Sequence, residues 1–447
     1  MPYSSVSGRR PGEAASKSAH GHIINDPKVR AFLERCDIPK KADDVHLDKH
    51  LVLSFTPLET NPIKHVIAVD SGFTEVAVQS RFPSAKICFF QFGALAFAME
   101  DLIALERGPF IDPDDISRLK QIERLQLTLP LRNVQLKGEP TLTASVRRAV
   151  YEYFRQKLED RELIETIRWL LFQEYGNGAD TWTLSNCPTC RETRIPLRRD
   201  KLSADFTIPC ERCGEPIYLT DVFRLHEAID DELGAGGIVG YVTTAFEQVI
   251  LAHLIHLILE IKPALLQEVL FIKDGPLAFF GQTANMFKPM RRLVAHLLAS
   301  QALFLVGLEK SGPFVEHANE IVAVLPPGSV LVLDNDYIYE YILPGKADAQ
   351  KPYGITTYYS NKVIFKTHAG SMHVASIPTV EEGLSHPKKS DLPNLDAILT
   401  NLELLRCDMY DNALIPVALA NKLVSLAVHP SSRILQKFAA GTVNSSR

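Results

Sequence analysis

Two apolar runs in this chain end in the same way. Val66-Ile67-Ala68-Val69 runs into Asp70-Ser71-Gly72, and Val269-Leu270-Phe271-Ile272-Lys273 runs into Asp274-Gly275-Pro276. A short apolar run without alternation fits a strand buried on both faces, and an aspartate followed at once by chain-turning residues places a carboxylate at the edge of a sheet. Two such strands lying side by side would bring two carboxylates together. Like charges a few ångströms apart are costly unless a cation neutralises them, so the pair implies a divalent metal site.

The remaining pattern supplies a context for those strands. The first 25 residues are rich in Ser, Gly, Arg, Lys and His and read as a disordered tail, followed by a short helix at Lys28 to Glu34. Val66 to Gly72, Glu75 to Val78 and Lys86 to Phe92 predict three strands of an antiparallel meander, with a turn at Phe82-Pro83-Ser84. A helix is expected over Ala94 to Leu105, a charged connector over Gly108 to Lys137, and an amphipathic helix over Thr141 to Leu158. A strongly apolar helix, Val242 to Leu259, precedes the second Asp-bearing strand. A helix from Met286 to Gln301 and strands at Leu303 to Leu308, Val330 to Leu333 and Lys362 to Lys366 follow. This order predicts an α/β fold with an RNase H-like mixed sheet flanked by helices, its first and fourth strands adjacent. The expected division is a tail at 1–25, a first part of the sheet domain at 26–180, an insertion at 181–225, a second part at 226–430 and a C-terminal tail at 431–447.

Composition narrows this picture only a little. With 447 residues, a net charge of −5 and 23% charged residues, the chain has room for a large core and needs clustered basic residues to bind a polyanion. The sequence shows neither an uninterrupted run of about 18 apolar residues nor a signal-peptide core, so a cytoplasmic protein without membrane association is expected. Three cysteines, Cys36, Cys88 and Cys407, are scattered. The other four form Cys187-Pro188-Thr189-Cys190 and Cys210-Glu211-Arg212-Cys213, two knuckles whose separation predicts a zinc ribbon holding structural zinc. Arg191, Arg194, Arg198, Arg199 and Lys201 between them suit either a nucleic-acid contact or a solvated basic loop.

A metal-dependent phosphodiesterase needs a third carboxylate. Glu247 sits on an otherwise apolar helix, where an unpaired charge is expensive, and is the candidate; Glu100, beside Asp101, is its rival. Lys310, just past a strand, is placed to offset charge on a phosphate, and Lys288, Arg291 and Arg292 form a candidate phosphate-gripping patch. His253 and His256 on the apolar helix read as core residues, and His368 and His373 carry little weight.

Taken in order, Val-Asp-Ser-Gly, the helix with Glu247, Lys-Asp-Gly-Pro-Leu, Val-Gly-Leu-Glu-Lys-Ser and Pro416-Val417-Ala418-Leu419-Ala420-Asn421-Lys422-Leu423-Val424 resemble the NurA nuclease family over roughly residues 60 to 430. The resemblance implies manganese-dependent cleavage of DNA (magnesium being the alternative cation), in end processing, repair or defence, by a homodimer docked on a HerA-type hexameric ATPase. Asp70, Glu247 and Asp274 fall on its acidic positions and Lys310 on its lysine. These residues imply a two-metal mechanism in which Asp70 and Asp274 bridge the cations and Glu247 completes the cage. The chain departs from the family at Asn421, where an Ala-His pair is usual, and at Asp70-Ser71-Gly72, where Asp-Gly-Ser is usual. Two alternatives stand beside this reading. One is an inactive nuclease-like scaffold coupling a translocase to DNA. The other is an actin-like kinase or ATPase, because Asp70-Ser71-Gly72-Phe73-Thr74 also spells a phosphate loop.

Overall fold

The computed structural model describes residues 19–40, 45, 47–79, 83–104, 121–158, 160–300, 303–407, 413–426 and 431–445. Its strands in chain order are β1 (Val52–Ser54), β2 (His65–Ala77), β3 (Lys86–Ala98) and β4 (Gln121–Arg132), then three short pairs. The pairs are β5 (Lys157–Leu158) with β6 (Arg161–Glu162), β7 (Thr181–Asn186) with β8 (Thr193–Arg198), and β9 (Thr207–Pro209) with β10 (Pro216–Tyr218). After them come β11 (Val269–Asp274), β12 (Phe304–Glu309), β13 (Ser329–Val332), β14 (Ser360–Lys366) and β15 (Met372–Pro378).

Among the described residues nine strands form one mixed sheet in the order β1-β13-β14-β15-β12-β11-β2-β3-β4. The two Asp-bearing strands are neighbours and parallel, with Ile272 opposite Ala68 and Lys273 opposite Val69, and β12 continues the parallel centre on the other side of β11. Antiparallel wings complete the sheet on both flanks. This is the adjacency of first and fourth strands that the element order predicts.

Because side chains alternate along a strand, each central strand serves two cores. Ile67, Val69, Val269, Phe271 and Leu305 face one core, built with the helices Leu142–Phe154, Leu163–Leu171, Val239–Ile261 and Phe287–Ser300. Val66, Ala68, Leu270, Ile272 and Val306 face the other, built with Leu395–Leu404 and Ile415–Val424. Burial on both faces explains why β11 carries no polar alternation until Lys273. It also explains Val239–Ile261: among the described residues one helical stretch, Gly236–Ile261, is long and apolar enough to cross a membrane, and 78% of its apolar window is buried inside the protein.

Several expectations need correction. The meander's first two strands are one: β2 runs unbroken through Ser71, Gly72, Phe73 and Thr74, paired with Phe92 to Phe89 of β3. Asp70 is therefore in mid-strand and not at a strand end. The third meander strand is β4, which occupies the expected connector; Leu125, Leu127, Leu129 and Leu131 are buried on one side of it. Residues 94–98 extend β3, leaving only Met99–Ala104 of the helix expected there. Both tails contain helix, Ala19–Ile24 and Ser431–Ser445, while residues 1–18 lie outside the described residues.

Candidate functional site

Strand parity decides how the acidic residues meet. Asp70 follows Val66 and Ala68 at period two, and Asp274 follows Leu270 and Ile272, so both carboxylates leave the sheet on the face covered by Ile415–Val424. Ser71 and Lys273 leave on the opposite face, where the helix Val239–Ile261 brings Glu247. There Glu247 Oε1 accepts from Ser71 Oγ at 2.5 Å, and Oε2 lies 2.7 Å from Lys273 Nζ. Lys273 Nζ also donates to the backbone carbonyl of Asp274. On the other face Lys310, two residues past Leu308, the register partner of Asp274, places Nζ 2.7 Å from Asp274 Oδ2.

Asp70 is 3% exposed. Its Oδ1 accepts from the Ser71 amide at 2.7 Å, while Oδ2 is buried with no hydrogen-bond partner among the described residues. Burial, then the charges of Asp274 and Glu247, push its carboxyl up to about 8 against the pull of Lys310. Burial also raises Glu247, and Lys273 and Ser71 draw it back. A buried carboxylate oxygen without a donor, beside a second carboxylate, is a hard-oxygen acceptor suited to a divalent cation.

Asp70, Glu247 and Asp274 lie close enough for their charges to act on one another, but they do not converge on one point. Among the described residues, the groups of three or more ligating side chains whose atoms lie within 4.8 Å of one another are the four cysteines and Asp334, Asp336 with His386. Asp70 and Asp274 are brought to one face, but Glu247 approaches from the other and both its oxygens are engaged.

The site is closed from one side by the end of Ile415–Val424. Gln91 Nε2 donates to the Leu423 carbonyl at 2.8 Å, and a Cβ on Gly72 would stand 2.2 Å from the Val424 carbonyl oxygen. Gly93, the register partner of Asp70, would meet the Val424 side chain at 2.7 Å. Asn421 is exposed on the last turn of that helix.

Other expected residues divide by burial. Lys288 and Arg292 are exposed on Phe287–Ser300, but Arg291 is buried and cannot grip phosphate: its guanidinium donates to the carbonyls of Tyr358 at 2.9 Å and Glu381 at 2.8 Å. Glu100 is exposed on Met99–Ala104. His253 is a satisfied core residue, bonded to Thr166 at 2.8 Å and to the Leu158 carbonyl at 3.1 Å, and His256 stacks on Trp169. His368 is exposed beside Glu403 and His373 is buried. The five residues Asp70 to Thr74 form no loop, which removes the geometry that a phosphate loop requires.

Two residues that sequence reasoning left without a role, Ser71 and Lys273, hold Glu247. Lys273 carried a signal: a lysine inside an otherwise apolar strand needs a partner, and period two points it toward the Glu247 helix.

The cysteine cluster is built locally. In each knuckle the first cysteine's amide bonds the carbonyl five residues on, Glu192 or Glu215, and its carbonyl accepts from the amide four residues on, Arg191 or Gly214. Sγ atoms of Cys187 and Cys213 are 3.9 Å apart, and those of Cys190 and Cys210 are 3.8 Å apart. Tetrahedral zinc with Zn–S of about 2.3 Å has S···S edges of about 3.8 Å, so the four sulfurs fit zinc. Three of the neighbouring basic residues are ion-paired: Arg198 with Asp200, Arg199 with Glu174 and Lys201 with Glu211.

No family model matches the chain, and no curated protein matches it. Among solved structures, the crystal structure of the NurA nuclease from Sulfolobus solfataricus aligns over 96% of this chain and 96% of its own at 8% identity and a TM-score of 0.36. A crystal structure of NurA with manganese aligns over 86% of this chain and 90% of its own at 11% identity and a TM-score of 0.28. A further NurA crystal structure covers 88% and 90% at 12% identity and 0.29. Likenesses at this level carry no argument about chemistry, which rests on the geometry above.

Proposed function

We propose that this chain is a divalent-metal-dependent nuclease that hydrolyses DNA phosphodiester bonds, with manganese or magnesium held by Asp70 and Asp274. The observation that carries the reading is the pair of carboxylates on adjacent parallel strands, one with a buried oxygen that has no donor among the described residues. A bound divalent cation would supply Lewis-acid polarisation of a phosphate oxygen and a more acidic water. Lys310 has the exposure to exchange partners, its side chain being 36% accessible, so its ammonium can pass from Asp274 to a phosphate oxygen and offset charge there. Lys288 and Arg292 are the remaining phosphate contacts, and they position the backbone without reading sequence.

The sheet is read as RNase H-like, divided into residues 26–180 and 226–430 by an insertion at 181–225 in which Cys187, Cys190, Cys210 and Cys213 hold structural zinc. With four protein ligands that zinc is closed to substrate and serves folding. Following the resemblance in the sequence motifs, the working unit is a cytoplasmic homodimer with a HerA-type hexameric ATPase in DNA repair or defence.

A second reading has its own observation. Two of the three acids are already neutralised by lysines, and Asn421 stands where the family has histidine, as expected of a weak or inactive nuclease-like scaffold. Incubating linear and single-stranded DNA with the protein, with manganese or a chelator, separates the two. Manganese-dependent degradation that Asp274→Ala abolishes is expected. Absence of cleavage, with or without the ATPase, supports the scaffold.

A further inference from the structure

We propose that Lys273 is a built-in counter-ion that takes the place of a second cation, so that the acidic site holds one divalent ion, at Asp70 and Asp274. This rests on the metal-dependent nuclease reading and narrows it. The two lysines of the site differ in kind. Lys310 lies on the open face with a 36% accessible side chain, whereas the Lys273 side chain is 2% accessible and is fixed from two directions. One direction is Glu247 Oε2 at 2.7 Å, and the other is the Asp274 carbonyl.

The backbone beside that ammonium turns sharply. Gly275 turns with φ +88°, and a Cβ there would come within 3.4 Å of Lys273 Nζ. Glu247 has its second oxygen occupied by Ser71 Oγ at 2.5 Å. A buried charge with this complement of partners is not released at small cost, because removing it leaves a buried carboxylate uncompensated.

The consequence for metal binding is electrostatic. In two-metal sites the ions lie about 4 Å apart and need carboxylates on both sides. Here Asp70 and Asp274 share one face, and on the Glu247 side a fixed positive charge already stands. A second dication would meet that charge at close range in a site of low dielectric, where repulsion is strong. The acceptor left open is the one on the other face, Asp70 Oδ2, which has no donor among the described residues.

Counting bound manganese tests this without reference to activity. The full chain is titrated with Mn2+ by calorimetry, and the bound ions are examined by electron paramagnetic resonance, in which a coupled pair is distinguished from an isolated ion. Oxygen-preferring Mn2+ does not compete for the four thiolates, and any ion held by Asp334, Asp336 and His386 is subtracted by counting each protein in a His386→Ala background. One isolated Mn2+ is expected for the wild type, none for the double variant Asp70→Asn with Asp274→Asn, and one for Lys273→Arg, which keeps the charge. Lys273→Met is expected to bind two. A coupled pair in the wild type overturns the proposal and leaves the nuclease reading standing. No bound Mn2+ in the wild type overturns both. A folded Lys273→Met that still binds one ion overturns the role given to Lys273. Should that variant fail to fold, the wild-type and Lys273→Arg counts decide the matter.

Discussion

The cysteine cluster and the acidic site are both sets of ligating side chains, yet they are assembled by different means. The four sulfurs come from two turns of identical hydrogen-bond pattern and converge within 4.8 Å. The acids come from two strands and a helix far apart in the chain. Their meeting depends on sheet register and on which face each residue occupies, and Glu247 ends on the opposite face from Asp70 and Asp274. Local spacing therefore brings the four sulfurs together, whereas the Glu247–Lys273 pair is legible only from strand period and from the face each position occupies.

The largest effect separating these regions should come from removing the zinc proposed for the cysteines. Structural zinc contributes on the order of 10 kcal/mol to its folding unit. Stripping zinc with a chelator, or Cys210→Ser, should therefore unfold the segment around β7 to β10, seen as new protease cleavage there together with loss of zinc content. Protection unchanged after zinc loss would show that this unit folds without its metal.

The next effect concerns the buried ion pair. Glu247→Ala leaves Lys273 buried and uncompensated, which should cost about 3–5 kcal/mol in urea unfolding. Pairing Glu247→Leu with Lys273→Met should recover most of that loss. If the double variant is no better than Glu247→Ala, the two charges are not coupled as described.

Asp70→Asn should have the smallest effect on stability and the opposite sign. The native carboxyl is buried, its Oδ2 has no donor among the described residues, and two neighbouring acids disfavour its charge, so its neutral isostere should stabilise the metal-free protein by about 1–3 kcal/mol. A lower midpoint in the variant would mean that Asp70 is a structural residue with a partner not identified here.

What was legible in the sequence follows the same division. The cysteine knuckles and the adjacency of the two Asp-bearing strands were readable, because spacing and element order carry them. The continuation of β2 beyond Asp70 was not. Ser71-Gly72 reads as a turn, but Gly72 is small because the end of Ile415–Val424 approaches it, with the Val424 carbonyl 2.2 Å from where a Cβ would stand. Strand β4 was hidden by its charges and Pro130, which an edge strand tolerates. Arg291 shared its patch with Lys288 and Arg292 in sequence, and only packing of the helix against the rest of the chain shows that it points inward. In the acidic site the pairing of Glu247 with Lys273 required knowing the face of each strand position.

The most direct test of the central claim, that Asp70 and Asp274 form a cation-dependent hydrolytic centre, is a time course of linear DNA cleavage in manganese by the wild type and by Asp70→Asn. Unfolding midpoints should be measured on the same preparations freed of metal, because a bound ion stabilises the protein that holds it. The account predicts a variant at least as stable as the wild type whose cleavage is slower by about a hundredfold to a thousandfold, the loss expected when a transition-state charge contact is removed. Equal cleavage by the two proteins would contradict it.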